Sequence, residues 1–360
     1  MNLSLVLRLL RIRSRNRGFK NTWNLVFFRA NQFFTHSTPL KFLNFLAVKF
    51  QKLIKLDKVW GMPYRYTIDP LNICNLRCPL CPTGLGILKR GKGKMSLANF
   101  NQLIDEIAPY AYYVELYNWG EPFLHPQIFE MIHYASSKKI SVRLSSNFNY
   151  FSEKMAVEAI NSGLDAIIVS LDGVTQETYE KYRRKGNLTT VLENIRILVK
   201  EKKRANSSRP FITLRMLVNR YNESEIEVMR ELAHDLSVDA FTIGTLFIDT
   251  TNHDQVNEWL PENESLSFYR YSSEELHNVW SCSDLWESMA INWDGGLAPC
   301  CWLHDAKHDF GNIFEHSIKE IWNSQPYIVS RRVFSTNSKK ESQLTTICTT
   351  CKGRPLYLKD

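Results

Sequence analysis

Asn72-Ile73-Cys74-Asn75-Leu76-Arg77-Cys78-Pro79-Leu80-Cys81-Pro82 is the stretch on which the fold turns. It follows a run from Tyr64 to Ile73 rich in β-branched and aromatic residues, which reads as a strand. Three cysteines spaced x3 and x2 therefore sit in the loop that leaves a strand end. A four-iron cubane is normally closed by four Cys thiolates, one per iron. Three thiolates leave one iron open to a bound molecule. Zinc suits this loop less well, because a structural zinc site takes four ligands and only Cys78 and Cys81 make the usual short pair.

Outward from this loop the chain alternates. Strand-like runs are expected at Tyr64 to Ile73, Tyr113 to Asn118, Ser141 to Ser146, Ala166 to Leu171, Phe211 to Asn219 and Ala240 to Ile248. Between them apolar residues recur at helical spacing, as in Phe100, Leu103, Ile104 and Ile107, or Val191, Ile195 and Leu198. Alternating strand and helix implies parallel pairing with right-handed crossovers. The expected fold is α/β, a partial (β/α)6 barrel whose reacting groups gather at the C-terminal strand ends.

The cysteine loop and its flanks resemble the radical S-adenosylmethionine superfamily. That resemblance implies a 4Fe-4S cluster on Cys74, Cys78 and Cys81 whose open iron chelates S-adenosylmethionine, and reductive cleavage to a 5′-deoxyadenosyl radical. Leu80 departs from the aromatic residue that relatives often place before the last cysteine. Trp119-Gly120-Glu121-Pro122 resembles the Gly-Gly-Glu element that receives the methionine amino group, with Trp119 in place of its first glycine, so close approach rests on Gly120 and the carboxylate on Glu121. Ser145-Ser146-Asn147 and Ser170-Leu171-Asp172-Gly173 resemble segments that bind the ribose or carboxylate, which nominates Ser145, Asn147, Ser170 and Asp172. Arg183 stands where relatives often carry an arginine for the methionine carboxylate, beside Arg184. Taken singly, these residues also read as a turn glycine, helix caps and solvated charges.

A second cysteine group follows an Asn-, Asp- and Glu-rich stretch from Thr250 to Glu264. It comprises Cys282, Cys300, Cys301, Cys348 and Cys351. Asp294-Gly295-Gly296 reads as a hairpin turn that brings Cys282 and Cys300 together. The region resembles the SPASM domain or its shortened twitch form, in Gly295-x4-Cys300, Phe310-Gly311-Asn312-Ile313 and Ile318-Lys319-Glu320-Ile321-Trp322. One auxiliary 4Fe-4S cluster on Cys282, Cys300, Cys348 and Cys351 is implied, with Cys301 as the alternative to Cys300. Four cysteines ending in a two-residue pair are also a zinc pattern. The expected organisation is a basic amphipathic leader over 1–60, the barrel over 61–259 and the auxiliary domain over 260–360.

Charge is uneven. Residues 1–60 hold twelve Lys or Arg and one acid, Asp57, a balance of +11; the chain totals +8, which leaves −3 for the rest. Leu3, Val6, Leu7, Leu10, Trp23, Val26, Phe27, Phe28, Phe33, Phe34, Phe42, Phe45 and Leu46 are interleaved at roughly helical spacing. Such segments lie on membrane interfaces or pack on a protein core. None reaches the roughly 18 to 20 apolar residues of a membrane span. Arg8 and Arg11 interrupt the only early apolar run, so no secretory signal is expected, and reduced thiols imply the cytoplasm. No basic stripe runs into the body of the chain, which disfavours nucleic acid. His304, His308 and Arg215 are left without a role. The expected activity is hydrogen abstraction from a carbohydrate-like small molecule, because the single-cluster twitch arrangement resembles that of an aminocyclitol alcohol dehydrogenase. Peptide maturation and a non-catalytic electron carrier are the alternatives. A flavodoxin or ferredoxin would supply the low-potential electron.

Overall fold

Two helices precede the sheet, α1 (Phe19–Thr35) and α2 (Pro39–Leu53). The computed structural model describes residues 19–246, 248, 252–267, 282–334 and 344–351; Leu3, Val6, Leu7 and Leu10 lie outside them. Six strands then follow where alternation places them: β1 (Arg65–Ile68), β2 (Tyr113–Glu115), β3 (Ser141–Ser146), β4 (Ala166–Ser170), β5 (Phe211–Val218) and β6 (Ala240–Thr245). Each is parallel to the next. The cysteine loop enters a single turn, α3 (Pro82–Leu85), and the crossovers are α4 (Leu97–Ile107), α5 (Ile128–Ser137), α6 (Glu153–Asn161), the pair α7 (Gln176–Tyr182) and α8 (Leu188–Arg204), and α9 (Ile226–Asp235). Helix α4 shows why these form. Ser96 caps its first turn by accepting from Asn99 N at 3.1 Å, and Phe100, Leu103, Ile104 and Ile107 are its buried stripe.

Strands end earlier than their apolar runs. β1 stops at Ile68 rather than Ile73, and β2 at Glu115 rather than Asn118. The apolar character persists because Leu71 and Leu116 stay packed inside, but Pro70 has no N–H to give a ladder. These extra residues are where the candidate site is built.

The C-terminal region contributes strands to the same sheet. After α10 (His253–Trp259) and α11 (Asp284–Glu287), β7 (Ser288–Ile291) pairs in parallel with β1 on its free side. Strand β8 (Gly296–Ala298) returns antiparallel across the Asp294-Gly295 turn, and β9 (Gly311–Asn312) follows. Gly295 has φ +83°, which glycine tolerates and other residues rarely adopt. The order β6-β5-β4-β3-β2-β1-β7-β8-β9 does not close. Helices α12 (Ile318–Trp322), α13 (Gln325–Val333) and α14 (Ile347–Thr350) complete the chain's described elements. One apolar core unites both regions, joining Tyr66, Ile104 and Val142 with Met289, Ile321 and Trp322. Buried Arg331 stacks over Trp322 and donates to the carbonyls of Leu285, Asp57 and Trp322 at 2.8 to 3.1 Å, so its charge is solvated by backbone.

Strand faces divide by chemistry. Residues turned toward the helices are fully buried and apolar, such as Val142, Leu144, Ile167, Val169, Leu214 and Met216. Their alternates on the barrel face are Arg65, Thr67, Tyr113, Glu115, Arg143, Ser145, Ser170 and Arg215.

Candidate active site at the strand ends

Cys74, Cys78 and Cys81 occupy one loop between β1 and α3. Cys81 N donates to Cys78 O at 3.2 Å, and Leu85 N closes the turn on Cys81 O at 2.8 Å. A side chain at Gly84 would meet Cys78 O at 2.3 Å, so the α3 backbone lies directly against the loop. Leu76, Cys78 and Leu80 are buried among Tyr182, Leu246, Ile248, Trp259 and Leu260, while Cys74 and Cys81 are half-buried. Leu80 thus lies within an apolar cluster. Burial pushes the Cys74 thiol up to about 12 and the Cys78 thiol up to about 11, the latter opposed by Arg183. Both would ligate iron as thiolates only with release of their protons.

Gly120, Glu121, Asn147, Asp172 and Arg183 converge on this loop. Gly120 is compulsory: a Cβ there would stand 2.0 Å from Leu71 O. Buried Glu121 accepts from Ser146 Oγ at 2.7 Å, Asn147 N at 2.8 Å and Phe123 N at 3.2 Å. It ties the 119–122 turn to the end of β3, and burial raises its carboxyl to about 7 against those donors. Asn147 Nδ2 donates to Asn75 Oδ1 at 2.9 Å and faces Cys74 Sγ at 3.7 Å. Arg183 Nε donates to buried Asp172 Oδ2 at 2.5 Å and its Nη1 lies 3.8 Å from Cys78 Sγ. Asp172 also accepts from Leu217 N at 2.6 Å. Arg184 is exposed, so of the two arginines only Arg183 enters the site. Ser145 and Ser170 face the barrel interior rather than the cysteine loop; in the Ser145-Ser146 pair it is Ser146 that reaches Glu121.

Sequence reasoning missed several contributors. Asp69, directly after β1, accepts from Trp119 N at 3.2 Å and Gly120 N at 3.4 Å, and burial raises it to about 7. Inside the barrel, Arg143 lies 4.1 Å over the Tyr113 ring and pairs in register with Glu115. Tyr117 is held neutral by burial and by nearby Glu115, with Arg215 and Arg143 opposing. Arg215 stands on the barrel face opposite Ser170, in space left by Gly244, whose Cβ would meet Arg215 Nε at 2.8 Å. An arginine amid the apolar residues of β3 was the same signal that singled out Arg215.

The second cysteine group assembles from three segments. Cys282 precedes α11, Cys300 follows β8, Cys348 lies in α14 and Cys351 directly follows it. The charged neighbours of the Cys300 thiol include Cys301 and Cys348, and those of Cys348 include Cys282 and Cys351. Cys301 instead lies in the field of Asp284, Glu115 and Arg65. Of the two adjacent cysteines, Cys300 is the one with another thiol of the group, Cys348, among its electrostatic neighbours, and both pack beside Cys351 against Ala290, Ala298 and Leu303. Burial raises Cys282 to about 11 and Cys348 to about 12. His304 packs edge-on against Trp119 at 5.7 Å, which joins the loop after Cys301 to the turn bearing Gly120. Arg90 clamps the hairpin, donating to both oxygens of Asp294 at 2.7 Å and of Asp309 at 2.6 and 2.7 Å.

Among the described residues no three His, Cys, Asp or Glu side chains converge on one single-ion position. A cubane assigns one iron to each thiolate, so its ligands surround a volume rather than a point. An all-thiol donor set in two groups, one of three and one of four, suits two such clusters.

Comparison with known proteins agrees with this geometry. Residues 68–233 match the Radical SAM superfamily, and residues 282–352 match SPASM, an iron–sulfur cluster-binding domain. The chain is 24% identical over 330 residues to the tungsten-containing aldehyde ferredoxin oxidoreductase cofactor-modifying protein of Pyrococcus furiosus, covering 81% of this chain and 88% of that one. It is 25% identical to the antilisterial bacteriocin subtilosin biosynthesis protein AlbA of Bacillus subtilis, over 73% of this chain but only 60% of AlbA. Its fold resembles that of Streptococcus suis SuiB bound to S-adenosylmethionine, with a TM-score of 0.61 at 15% identity, covering 88% of this chain and 80% of SuiB. Its cofactors are S-adenosylmethionine, a 4Fe-4S cluster and an auxiliary iron–sulfur cluster. The chain is a radical SAM enzyme of the group that carries a SPASM domain.

Proposed function

We propose that the enzyme abstracts hydrogen from a compact, polar substrate bound inside the barrel, in a two-electron oxidation. When bound, the cofactors supply a 5′-deoxyadenosyl radical and, at the auxiliary cluster, an acceptor for the second electron. In this reading Cys74, Cys78 and Cys81 hold the first cluster, and Cys282, Cys300, Cys348 and Cys351 the auxiliary one. Gly120 lets the cofactor approach the backbone, Glu121 and Asn147 fix the turn that receives it, and Arg183, braced by Asp172, offers a guanidinium to the methionine carboxylate. Ser145 and Ser170 line the adjoining interior.

The carrying observation is the composition of that interior. Arg143 and Arg215, from β3 and β5, neighbour Tyr117 and Glu115, and the buried Nε of Arg143 has no hydrogen-bond partner among the described residues. Guanidinium and phenol groups on the barrel face favour a hydroxylated or anionic small molecule, consistent with a carbohydrate-like substrate. Peptide maturation is the second reading, supported by the likeness to the subtilosin biosynthesis protein and to mycofactocin maturase. The remaining partners are a low-potential donor of the flavodoxin or ferredoxin kind and peripheral membrane contact through residues 1–60.

Deuterium capture tests the substrate class. Reduced enzyme is incubated with size-fractionated extract of cells grown on deuterated medium, and 5′-deoxyadenosine is examined by mass spectrometry. Deuterium transferred from the low-mass fraction is the expected result. Transfer from the peptide fraction alone would replace the first reading with the second.

A further inference from the structure

Helix α2 is turned inside out. Its protein-facing stripe is Lys41, Asn44, Val48 and Gln51, three of them polar, and every polar one is satisfied. Lys41 Nζ donates to Lys139 O at 2.5 Å, Asn44 exchanges two 2.8 Å bonds with the Met62 backbone, and Gln51 Oε1 accepts from Trp60 N and Gly61 N. The opposite stripe, at spacings of three, three, four and three, is Leu40, Leu43, Leu46, Phe50 and Leu53, all exposed. Leu43 is 64% and Leu53 78% exposed, and Phe34 at the end of α1 is 75% exposed. A helix in a water-soluble surface buries its apolar stripe. A contiguous exposed one marks a surface that meets another phase or partner.

Charge selects the occupant. Residues 1–60 carry +11, and their only carboxylate, Asp57, is paired with Arg332 at 2.6 Å. Lys55 and Lys58 stand exposed just beyond Leu53. We propose that α1 and α2 lie on an anionic lipid surface, with the apolar stripe in the acyl boundary and these cations at the headgroups.

The fold then sets the orientation. Every anchor of the two helices is at the N-terminal end of a strand: His36 meets Asp165 just before β4 at 3.3 Å, Phe33 stacks on Tyr112 just before β2, and Leu25 packs on Ala166, Phe211 and Ala240, the first residues of β4, β5 and β6. The cysteine loop is at the other end, about 20 Å away along a six-residue strand. The mouth of the barrel therefore opens away from the bilayer, and substrate arrives from the aqueous side.

Co-sedimentation of the full, anaerobically purified chain with phosphatidylcholine vesicles, with and without phosphatidylglycerol, tests this. Wild type should pellet with the anionic vesicles, less so as salt is raised. Leu43→Asp combined with Leu53→Asp should lower the pelleted fraction about tenfold or more while leaving 5′-deoxyadenosine formation unchanged. Lys55→Glu with Lys58→Glu, which leaves the apolar stripe intact, should remove the preference for anionic vesicles. Wild type remaining in the supernatant, equal pelleting with both vesicle types, or a dimer in sedimentation velocity that the Leu variant dissociates would each overturn the proposal. Cofactor cleavage is measured separately, so loss of the membrane face and loss of the site reading are distinguishable.

Discussion

The two cysteine groups solve the same ligand problem in opposite ways. Cys74, Cys78 and Cys81 come from one eight-residue loop held by its own turn and by Gly84 beneath it. Cys282, Cys300, Cys348 and Cys351 are brought together by β7, β8 and α14 only once the sheet has formed. In the proposed reading the local tripod would leave an iron open, on a loop whose cysteines are set by short-range turns and packed by Tyr182, Leu246 and Trp259. The closed set of four would serve electron transfer and depend on the C-terminal elements staying in place. On this proposal reactivity would come from a missing ligand, and stability from ligands far apart in the chain.

The widest separation between the groups comes from removing a ligand in each. Cys74→Ala, Cys78→Ala or Cys81→Ala should abolish 5′-deoxyadenosine formation, whereas Cys348→Ala should halt product formation but leave some uncoupled cofactor cleavage, both read by chromatography. Loss of cleavage only in the Cys348 variant would exchange the roles. Within the second group, Cys300→Ala should lose the auxiliary iron and Cys301→Ala retain it, measured as iron per chain; the opposite result would make Cys301 the ligand in place of Cys300.

Next in size is the turn that serves the first group. A Cβ 2.0 Å from Leu71 O cannot be accommodated without moving backbone, so Gly120→Ala should cut cofactor cleavage at least about tenfold while iron at the tripod is retained. For the second group the counterpart is Arg90. Its removal leaves Asp294 and Asp309 facing each other without the buried cation, and Arg90→Ala should destabilise the fold by about 3 kcal/mol in chemical denaturation. Unchanged stability would show that the hairpin does not rely on this clamp.

The smallest effect is a titration far from both groups. Burial lowers Lys41 from its ordinary 10.5 to about 8, with Lys139 adding repulsion. Between those values the unfolded chain binds more protons than the folded one, so stability should rise with pH from about 8 to 10.5. Lys41→Met should flatten that rise; a profile identical to wild type would place the protonation change elsewhere.

Much of this was legible in the chain because the signals were local. Strand–helix alternation gave the parallel sheet, and the three close cysteines pointed to the strand-end site. Strand ends were overextended at Ile73 and Asn118 because apolar composition reports burial, not ladder pairing. β7 was not anticipated: four residues, Ser288–Ile291, are too few for a periodic pattern, and their partner β1 lies more than two hundred residues away. Asp69 and Ser146 escaped notice because their roles are hydrogen bonds to a turn distant in sequence. The inverted burial of α2 could not be read from periodicity, which finds an apolar stripe but not the direction it faces.

Anaerobic reconstitution followed by electron paramagnetic resonance, with and without S-adenosylmethionine, tests the central claim most directly. The account predicts about eight irons per chain, a cluster signal that changes when the nucleotide is added, and 5′-deoxyadenosine on reduction. Tetrahedral zinc at Cys74, Cys78 and Cys81, or a cluster signal unaltered by the nucleotide, would contradict it.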